Sequence, residues 1–252
     1  MNIRDHCIFP VWPAPPNVRA LQTTRHGGVS VAPYDSLNLG GHVGDMPLAV
    51  ARNRIFLNSL LPSEPVWLEQ VHGTTVASAD AASCRTRADA CIARNRASVC
   101  VVVTADCLPV LLCDRRGSVV AAVHAGWKGL AAGVIETTVQ EMGIAPQNLM
   151  AWMGPAIGRN AFEVGEEVRD FFLKNNPQAA AAFTSSPLRG EGGGEGEKWF
   201  ADIYALAQVR LITLGITQIY GGGYCTYREP ERFFSYRRDG VTGRMGTFIW
   251  LE

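Results

Sequence analysis

The sequence has little lysine, little histidine and no excess of charge. Its only lysines are Lys128, Lys174 and Lys198, and the 23 basic residues are balanced by 23 acidic ones. A protein that binds nucleic acid or an anionic membrane through its charge needs a clearly basic face, which this composition does not indicate. We therefore expect a small-molecule ligand and neither a nucleic-acid nor a membrane partner.

Long hydrophobic runs and paired cysteines are also missing. No stretch reaches the roughly 18 apolar residues of a membrane span, and the first twenty residues lack the pattern of a signal peptide. The 7 cysteines include no C-x-x-C pair, so neither a disulfide framework nor a zinc knuckle is expected. These absences predict a cytoplasmic protein with reduced thiols.

The common catalytic motifs are absent too. There is no G-x-x-x-x-G-K-[ST], G-x-G-x-x-G after a strand, G-x-S-x-G or H-E-x-x-H, and no zinc deaminase signature. Only 5 histidines occur, none of them in an H-x-H pair. A multicopper cluster needs about ten imidazole ligands, so the sequence does not favour one.

Hydrophobic periodicity predicts an α/β fold with mixed sheets flanked by helices. The expected helices cover 48–60, 126–142, 162–174 and 201–216, and the expected strands cover 66–76, 100–104, 110–113, 119–123, 149–158 and 217–224. Residues 23–45 are predicted to form a long ordered loop, because they are rich in Gly, Asn and Asp without helical periodicity.

The chain is predicted to be one domain, residues 1–252, with a flexible insertion near 184–198. That segment has the Gly and Ser content of a mobile loop and too few apolar residues to pack. It also carries three glutamates, which repel anions, so a phosphate cradle is disfavoured.

A predicted hairpin brings a cysteine and a histidine together. If the turn at 114–117 closes symmetrically, Cys113 faces Ser118 and Cys107 faces His124. Directly opposed residues have Cβ atoms roughly 4.5 to 5.5 Å apart, close enough to share a metal or a proton. Pro109 cannot donate to a ladder and is the residue that could shift this register. The alternative is that Cys107 and His124 are ordinary core residues.

His72, expected on a strand or at its end, extends this pair to two histidines and one cysteine. That set matches the three protein ligands of catalytic zinc, whose fourth position is open to water. The same residues also suit a thiolate nucleophile paired with a histidine, and both interpretations remain open at this point.

The motifs of the chain together resemble a known family. They are TRHGGVS at 24–30, LNLG at 37–40, EQVHG at 69–73, TADCLP at 104–109, VHAGWKG at 123–129, GPAIG at 154–158, FEVG at 162–165, CTY at 225–227 and SYRRDGVTGRMG at 235–246. In this order they are similar to the bacterial multicopper polyphenol oxidase family, also called the laccase-domain or peptidoglycan editing factor family, whose members are regarded as purine nucleoside phosphorylases.

The resemblance implies a fold similar to the catalytic domain of cytotoxic necrotizing factor. It also implies a zinc site, with copper as an alternative metal, held by His72, Cys107 and His124. The implied activities are phosphorolysis of adenosine, inosine and methylthioadenosine, adenosine deamination, phenol oxidation and the editing of peptidoglycan precursors.

A phosphorylase must bind inorganic phosphate as well as a purine nucleoside, and arginine is the usual anion donor. Arg25 and Arg237 are the candidates, although each is equally consistent with a structural salt bridge. Asp106 is predicted to orient a ligand histidine or to cap a turn. The alternative functions are an amidase using zinc or the Cys-His pair, and a metal-binding module without turnover; oxidation is expected only as a side activity.

Overall fold

The computed structural model describes residues 3–81, 86–186 and 197–252. Its strands are β1 (Cys7–Ile8), β2 (Val18–Thr23), β3 (Val76–Ser78), β4 (Ala90–Ala93), β5 (Cys100–Thr104), β6 (Leu108–Asp114), β7 (Val120–Ala125), β8 (Leu149–Met153), β9 (Glu163–Gly165), β10 (Phe183–Ser185), β11 (Lys198–Ala201), β12 (Gln218–Gly221) and β13 (Met245–Leu251). The helices are α1 (Pro47–Leu57), α2 (Trp127–Ala132), α3 (Val134–Met142), α4 (Glu166–Asn175), α5 (Ile203–Leu214) and α6 (Tyr236–Asp239).

These strands form three sheets. The largest has the order β12-β8-β6-β7-β4-β3, with parallel pairs only at its two edges; the others are β1-β2-β13-β5 and β10-β11-β9. The predicted α/β fold with mixed sheets and flanking helices is therefore confirmed. No helix in the described part of the chain is long and apolar enough to cross a membrane.

The central strands β6 and β7 are buried on both faces, which explains their nearly continuous apolar sequences. Val110 and Val123 lie in the hydrophobic cluster that includes residues of α3 and α5. Leu111 and Ala122, which alternate with them, lie in the cluster that includes residues of β5 and β13. The large sheet therefore packs between helices on one side and the four-stranded sheet on the other.

Several predicted elements are confirmed. The strand at Cys100–Thr104 has the predicted bounds, and the predicted strands at 110–113 and 119–123 are the cores of β6 and β7. The first predicted helix is α1, which begins one residue earlier than predicted and ends three residues earlier. The helix expected over 126–142 is divided into α2 and α3, because Gly133 adopts φ 99°, which a right-handed helix cannot contain.

The strand predicted over 66–76 is wrong. Val66 bridges Cys100 and Glu69 bridges Arg87, each as an isolated pair, and regular pairing begins only at Val76. The segment changes partners along its length, so no single ladder can form. Likewise, the start of the helix predicted over 162–174 belongs to β9, which pairs with β11.

The predicted loop over 23–45 is confirmed, since no helix or strand lies between Thr23 and Pro47. The buried Asn53 side chain of α1 orders this loop. Its amide donates to the Ser36 and Asn38 carbonyls, and its oxygen accepts from the Val29 N–H.

Residues at both ends of the predicted insertion belong to strands β10 and β11. Thr184 pairs with Phe200 and Ser185 with Trp199 in the hairpin of β10 and β11. The intervening residues 187–196 lie outside the described residues, as does Cys84. The six cysteines within the described residues are free thiols.

Candidate metal centre and substrate pocket

The hairpin of β6 and β7 has a different register from the predicted one. His124 is opposite Pro109, and Cys113 is opposite Val120 instead of Ser118. Asp114 explains the two-residue shift, because its carboxylate accepts the N–H groups of Arg116, Ser118 and Val119 and so stabilises a longer turn.

A shift of two residues keeps every side chain on its face of the sheet, whereas a shift of one would reverse it. Cys107 is therefore a diagonal neighbour of His124 rather than its direct partner. Pro109 causes no bulge. Its carbonyl accepts from Gly154 near the end of β8, and in an antiparallel strand the N–H and C=O of one residue point the same way. The missing N–H therefore removes no bond to β7.

His72, Cys107 and His124 come together at this end of the large sheet, as the sequence predicts. One nitrogen or sulfur atom from each lies within 4.8 Å of the other two. Cys107 Sγ is 3.7 Å from His72 Nε2, and the two imidazole rings are 4.8 Å apart between centroids. His124 is buried, Cys107 is half-buried and His72 is exposed. The cluster is thus open to a ligand on the His72 side.

The buried carboxylate of Asp89 fixes both histidines. Asp89 Oδ1 is 2.8 Å from His124 Nδ1, and its main-chain carbonyl accepts the His124 N–H. The same carboxylate accepts the N–H groups of Val71, His72 and Gly73. These bonds hold His72 in a left-handed conformation, with φ 60°, that is uncommon for a residue with a side chain.

The electrostatics of the cluster favour a thiolate. Burial tends to raise the pKa of the Cys107 thiol, but the charge of His124 and hydrogen bonds to His124 and His72 lower it to about 6. Burial tends to lower the pKa of His124, yet the Cys107 charge and the Asp89 carboxylate raise it to about 9. At neutral pH and without a metal, Cys107 and His124 therefore form an ion pair.

A glycine gives the cluster its space. A Cβ atom on Gly126 would lie 2.8 Å from His72 Cδ2 and 3.1 Å from Cys107 Sγ. Both distances are shorter than ordinary van der Waals contacts. Since Gly126 has φ −63°, steric room rather than backbone freedom is what requires glycine here.

The donor set fits zinc on its geometry. Zn–S bonds of about 2.3 Å and Zn–N bonds of about 2.0 to 2.1 Å, at a tetrahedral angle, place sulfur and nitrogen roughly 3.5 to 3.6 Å apart. The observed Sγ–Nε2 distance is 3.7 Å. The hydrogen bond of Asp89 to His124 Nδ1 leaves Nε2 free to ligate, which is the usual arrangement of a metal-binding histidine.

A mostly apolar cavity of about 140 Å³ adjoins Cys107. Its lining comprises Ala105, Asp106, Cys107, Trp127, Ile157, Phe162, Ile203, Tyr236 and Arg237. Cavities that enclose a whole drug-sized molecule are larger, roughly 300 to 1,000 Å³. At about 140 Å³ this cavity has room for only part of a molecule of that size.

The two predicted anion-binding arginines differ in their surroundings. Arg237 lines the cavity, and its side chain donates to the Glu163 carbonyl. Arg25 donates to the carbonyls of Asp35 and Pro230 and lies over the Phe234 ring, 4.9 Å from its centroid. These contacts give Arg25 a structural role in the N-terminal loop, and it is not among the residues of the cavity.

The hydrogen bonds of the Asp106 carboxylate go to neither histidine of the cluster, whereas those of Asp89 reach both. The Asp106 carboxylate accepts from the Thr226 hydroxyl and from the Arg237 N–H, each at 2.6 Å. Asp106 adopts φ 85°, so it turns the chain sharply just before Cys107. It joins the end of β5 to the first turn of α6 and holds Arg237 at the cavity.

The sequence predicts neither the contacts of Asp89 with the two histidines nor the position of Arg244 near the cavity. Asp89 belongs to none of the motifs and acts through backbone groups 16 to 18 residues away, so no local pattern marks it. Arg244 is in the SYRRDGVTGRMG motif, whose richness in arginine was the available signal. Its guanidinium lies 5.8 Å from the ring centroid of Tyr236, which lines the cavity.

Comparison with known proteins identifies relatives along nearly the whole chain. Residues 19–252 match the family model described as multi-copper polyphenol oxidoreductase laccase. The chain is 54% identical over 247 residues to the purine nucleoside phosphorylase YfiH of Shigella flexneri; the match covers 97% of this chain and 98% of that protein. It is 51% identical over 245 residues to a purine nucleoside phosphorylase of Pseudomonas aeruginosa, with coverage of 97% and 98%.

Solved structures agree with this assignment. A Neisseria meningitidis protein matches with a TM-score of 0.89 and 50% identity, covering 98% of this chain and 99% of that one. The YfiH protein of Bacillus licheniformis matches with a TM-score of 0.82 and 31% identity, covering 93% of each chain. The chain therefore belongs to the multi-copper polyphenol oxidoreductase laccase family, as its motifs predict.

Proposed function

We propose that this protein is a zinc-dependent purine nucleoside phosphorylase that acts on adenosine, inosine and methylthioadenosine, with adenosine deaminase activity at the same site. The observation that carries the proposal is the open His72, Cys107 and His124 cluster beside a mostly apolar cavity. Relatives 54% and 51% identical to this chain are named purine nucleoside phosphorylases. We place the reaction in the cytoplasm, where the free thiols would stay reduced.

The proposed metal ligands are His72, Cys107 and His124, with copper as the alternative metal. A zinc ion held there would act as a Lewis acid and polarise an oxygen atom of a bound ligand. Asp89 keeps His124 in the tautomer that presents Nε2, and Gly126 leaves room for the side chains of the other two ligands.

In phosphorolysis an oxygen of inorganic phosphate attacks the anomeric carbon, and the bond from that carbon to the purine nitrogen breaks. The base leaves with the bonding electron pair and takes up a proton. The ribosyl centre is positively charged in the transition state, so the site must hold the phosphate anion close to it. Arg237 supplies a positive charge at the cavity, where Asp106 fixes its backbone.

The apolar cavity suits one face of a purine. Trp127, Phe162 and Tyr236 present aromatic surface next to Cys107. Aromatic faces stack on flat heterocycles and exclude water from the reacting bond. Because the cavity is small, we place the base there and the ribose and phosphate toward the exposed His72.

Product analysis tests the proposal. Zinc-loaded protein is incubated with inosine or adenosine, with and without phosphate, and the products are separated by chromatography. Free base that forms only with phosphate establishes the phosphorylase, and inosine formed from adenosine without phosphate establishes the deaminase. Absence of turnover of every nucleoside under all conditions would refute both activities.

The ion pair of Cys107 and His124 favours one alternative, an amidase with a thiolate nucleophile that edits peptidoglycan precursors. The zinc content and activity of the Cys107→Ala variant distinguish the metal mechanism from the covalent thiolate mechanism. A metal enzyme loses both zinc and activity, whereas a covalent thiolate enzyme loses activity with its zinc content intact. Phenol oxidation is at most a side activity, because three ligands cannot hold a multicopper cluster.

A further inference from the structure

Arg244 is a half-buried arginine without an acidic partner among the described residues. Its Nη1 group donates to the main-chain carbonyls of Thr242 and Gly243 at 2.9 and 3.0 Å. Within the described part of the chain, Nε and Nη2 make no hydrogen bond. A guanidinium has five N–H donors, so Arg244 keeps three of them available.

This arginine is held in place by its own backbone. The Arg244 N–H donates to Asn38 Oδ1 at 2.9 Å, and its carbonyl accepts from the Leu39 N–H at 3.0 Å. Its side chain then crosses Gly40, where a Cβ atom would come within 2.7 Å of Arg244 Cγ. The glycine of the LNLG motif therefore opens the path that the arginine takes.

The path leads to the edge of the cavity, where Arg244 contacts a lining residue without itself being part of the lining. The guanidinium lies 5.8 Å from the centroid of the Tyr236 ring, which lines the cavity beside Cys107. Burial lowers the pKa of the Arg244 guanidinium. Burying a charge without a paired ion is costly, which is consistent with a site that receives an anion.

We propose that Arg244 binds the inorganic phosphate co-substrate at the mouth of the cavity, with two of its free N–H donors directed at phosphate oxygens. The inference rests on the proposed phosphorylase function and deepens it by assigning the anion subsite. Arg237 also places a positive charge at the cavity, but it is exposed. The partly buried charge of Arg244 is less screened by salt, so we assign the main phosphate contact to Arg244. Arg25 is excluded by its structural contacts.

Binding of inorganic phosphate alone to the zinc-loaded protein tests the assignment by titration calorimetry. A hydrogen bond to a charged group is worth a factor of about 10 to 100 in affinity. We expect Arg244→Gln to raise both the Kd and the KM for phosphate by about that factor. The KM for inosine and the zinc content should stay within about twofold of the wild type. Arg244→Lys, which keeps the charge but not the planar donor pair, should give an intermediate loss.

Arg210→Gln is the matched control, because Arg210 is also partly buried but is paired with Glu136 on α3. It should leave the phosphate Kd unchanged. Thermal unfolding of each variant shows whether it is folded. If Arg244→Gln does not fold, the phosphate Kd of Arg244→Lys tests the assignment instead. An unchanged phosphate Kd in a folded, zinc-loaded Arg244→Gln variant would overturn the assignment, and so would a wild-type protein that does not bind phosphate. Phosphate binding that depends on Arg244, without turnover of any nucleoside, would instead confirm the subsite and refute the phosphorylase.

Discussion

Replacing Asp89 with asparagine should disorganise the metal centre while leaving its three ligands in place. The carboxylate contacts both histidines of the proposed site, through His124 Nδ1 at 2.8 Å and the His72 N–H at 2.9 Å. Asparagine keeps one acceptor oxygen but turns the other into an NH₂ donor. That donor would face N–H groups that already need an acceptor, so at least one bond is lost.

The expected loss of zinc affinity follows from the role of Asp89 as the partner of a ligand histidine. Removing such a partner typically costs a factor of 10 to 100 in metal affinity, or about 1.4 to 2.7 kcal/mol. The metal-free protein should also lose stability. Hydrogen bonds to a charged group are worth about 1.5 to 3 kcal/mol each, and breaking a buried charged network costs about 3 to 5 kcal/mol.

Competition with a chromogenic chelator measures the zinc affinity, and urea unfolding of the metal-free protein measures the stability. Asp114→Asn is the matched control. Asp114 is also buried and accepts three backbone N–H bonds, but it lies at the opposite end of the β6–β7 hairpin. It should lower the stability without changing zinc affinity. If Asp89→Asn binds zinc as tightly as the wild type, or if Asp114→Asn weakens zinc equally, Asp89 does not organise the site.

Three further results are expected. Gly126→Ala should weaken zinc binding about tenfold, because the added methyl group would meet the side chains of His72 and Cys107. Gly223→Ala should have no effect on zinc binding, because no described residue beyond its chain neighbours lies within 4 Å of the added Cβ. Equal zinc affinities of the two variants would refute the steric argument. In metal-free protein, the Cys107 thiol has a pKa of about 6, so iodoacetamide should alkylate it at pH 7 and react slowly only below about pH 6. The Cys113 thiol, with a pKa of about 12, should stay unreactive. A Cys107 reaction that begins only near pH 9 would contradict this. Zinc at 100 times its Kd should raise the free energy of unfolding by about 2.7 kcal/mol; the same zinc should not stabilise Cys107→Ala.

The sequence predicts that His72, Cys107 and His124 lie together, and they do, although the predicted register of the hairpin is wrong. The apolar runs that became β6 and β7 identified the hairpin, but the sequence did not show that the Asp114 side chain would cap a longer turn. Because the resulting shift is two residues, Cys107 and His124 still share a face. Strand composition thus determines which residues meet, whereas a single side chain determines how they pair.

The errors occurred where tertiary contacts override local patterns. Residues 66–76 alternate like a strand, but Val66 and Glu69 bridge different partners, and Asp89 then turns His72 out of the extended conformation. For Asp106 the sequence leaves open a histidine partner or a turn cap, whereas its carboxylate accepts from the hydroxyl of Thr226, 120 residues away. No single-sequence pattern carries such distant pairings.

The central claim is phosphorolysis at the His72, Cys107 and His124 centre. Phosphorus NMR tests it most directly, by following inorganic phosphate during incubation of inosine with zinc-loaded wild type and with Cys107→Ala. We expect the phosphate signal to be replaced by that of ribose 1-phosphate with the wild type and to persist with the variant. A phosphate signal that remains unchanged with the wild type, or ribose 1-phosphate formed equally by a variant without zinc, would contradict it.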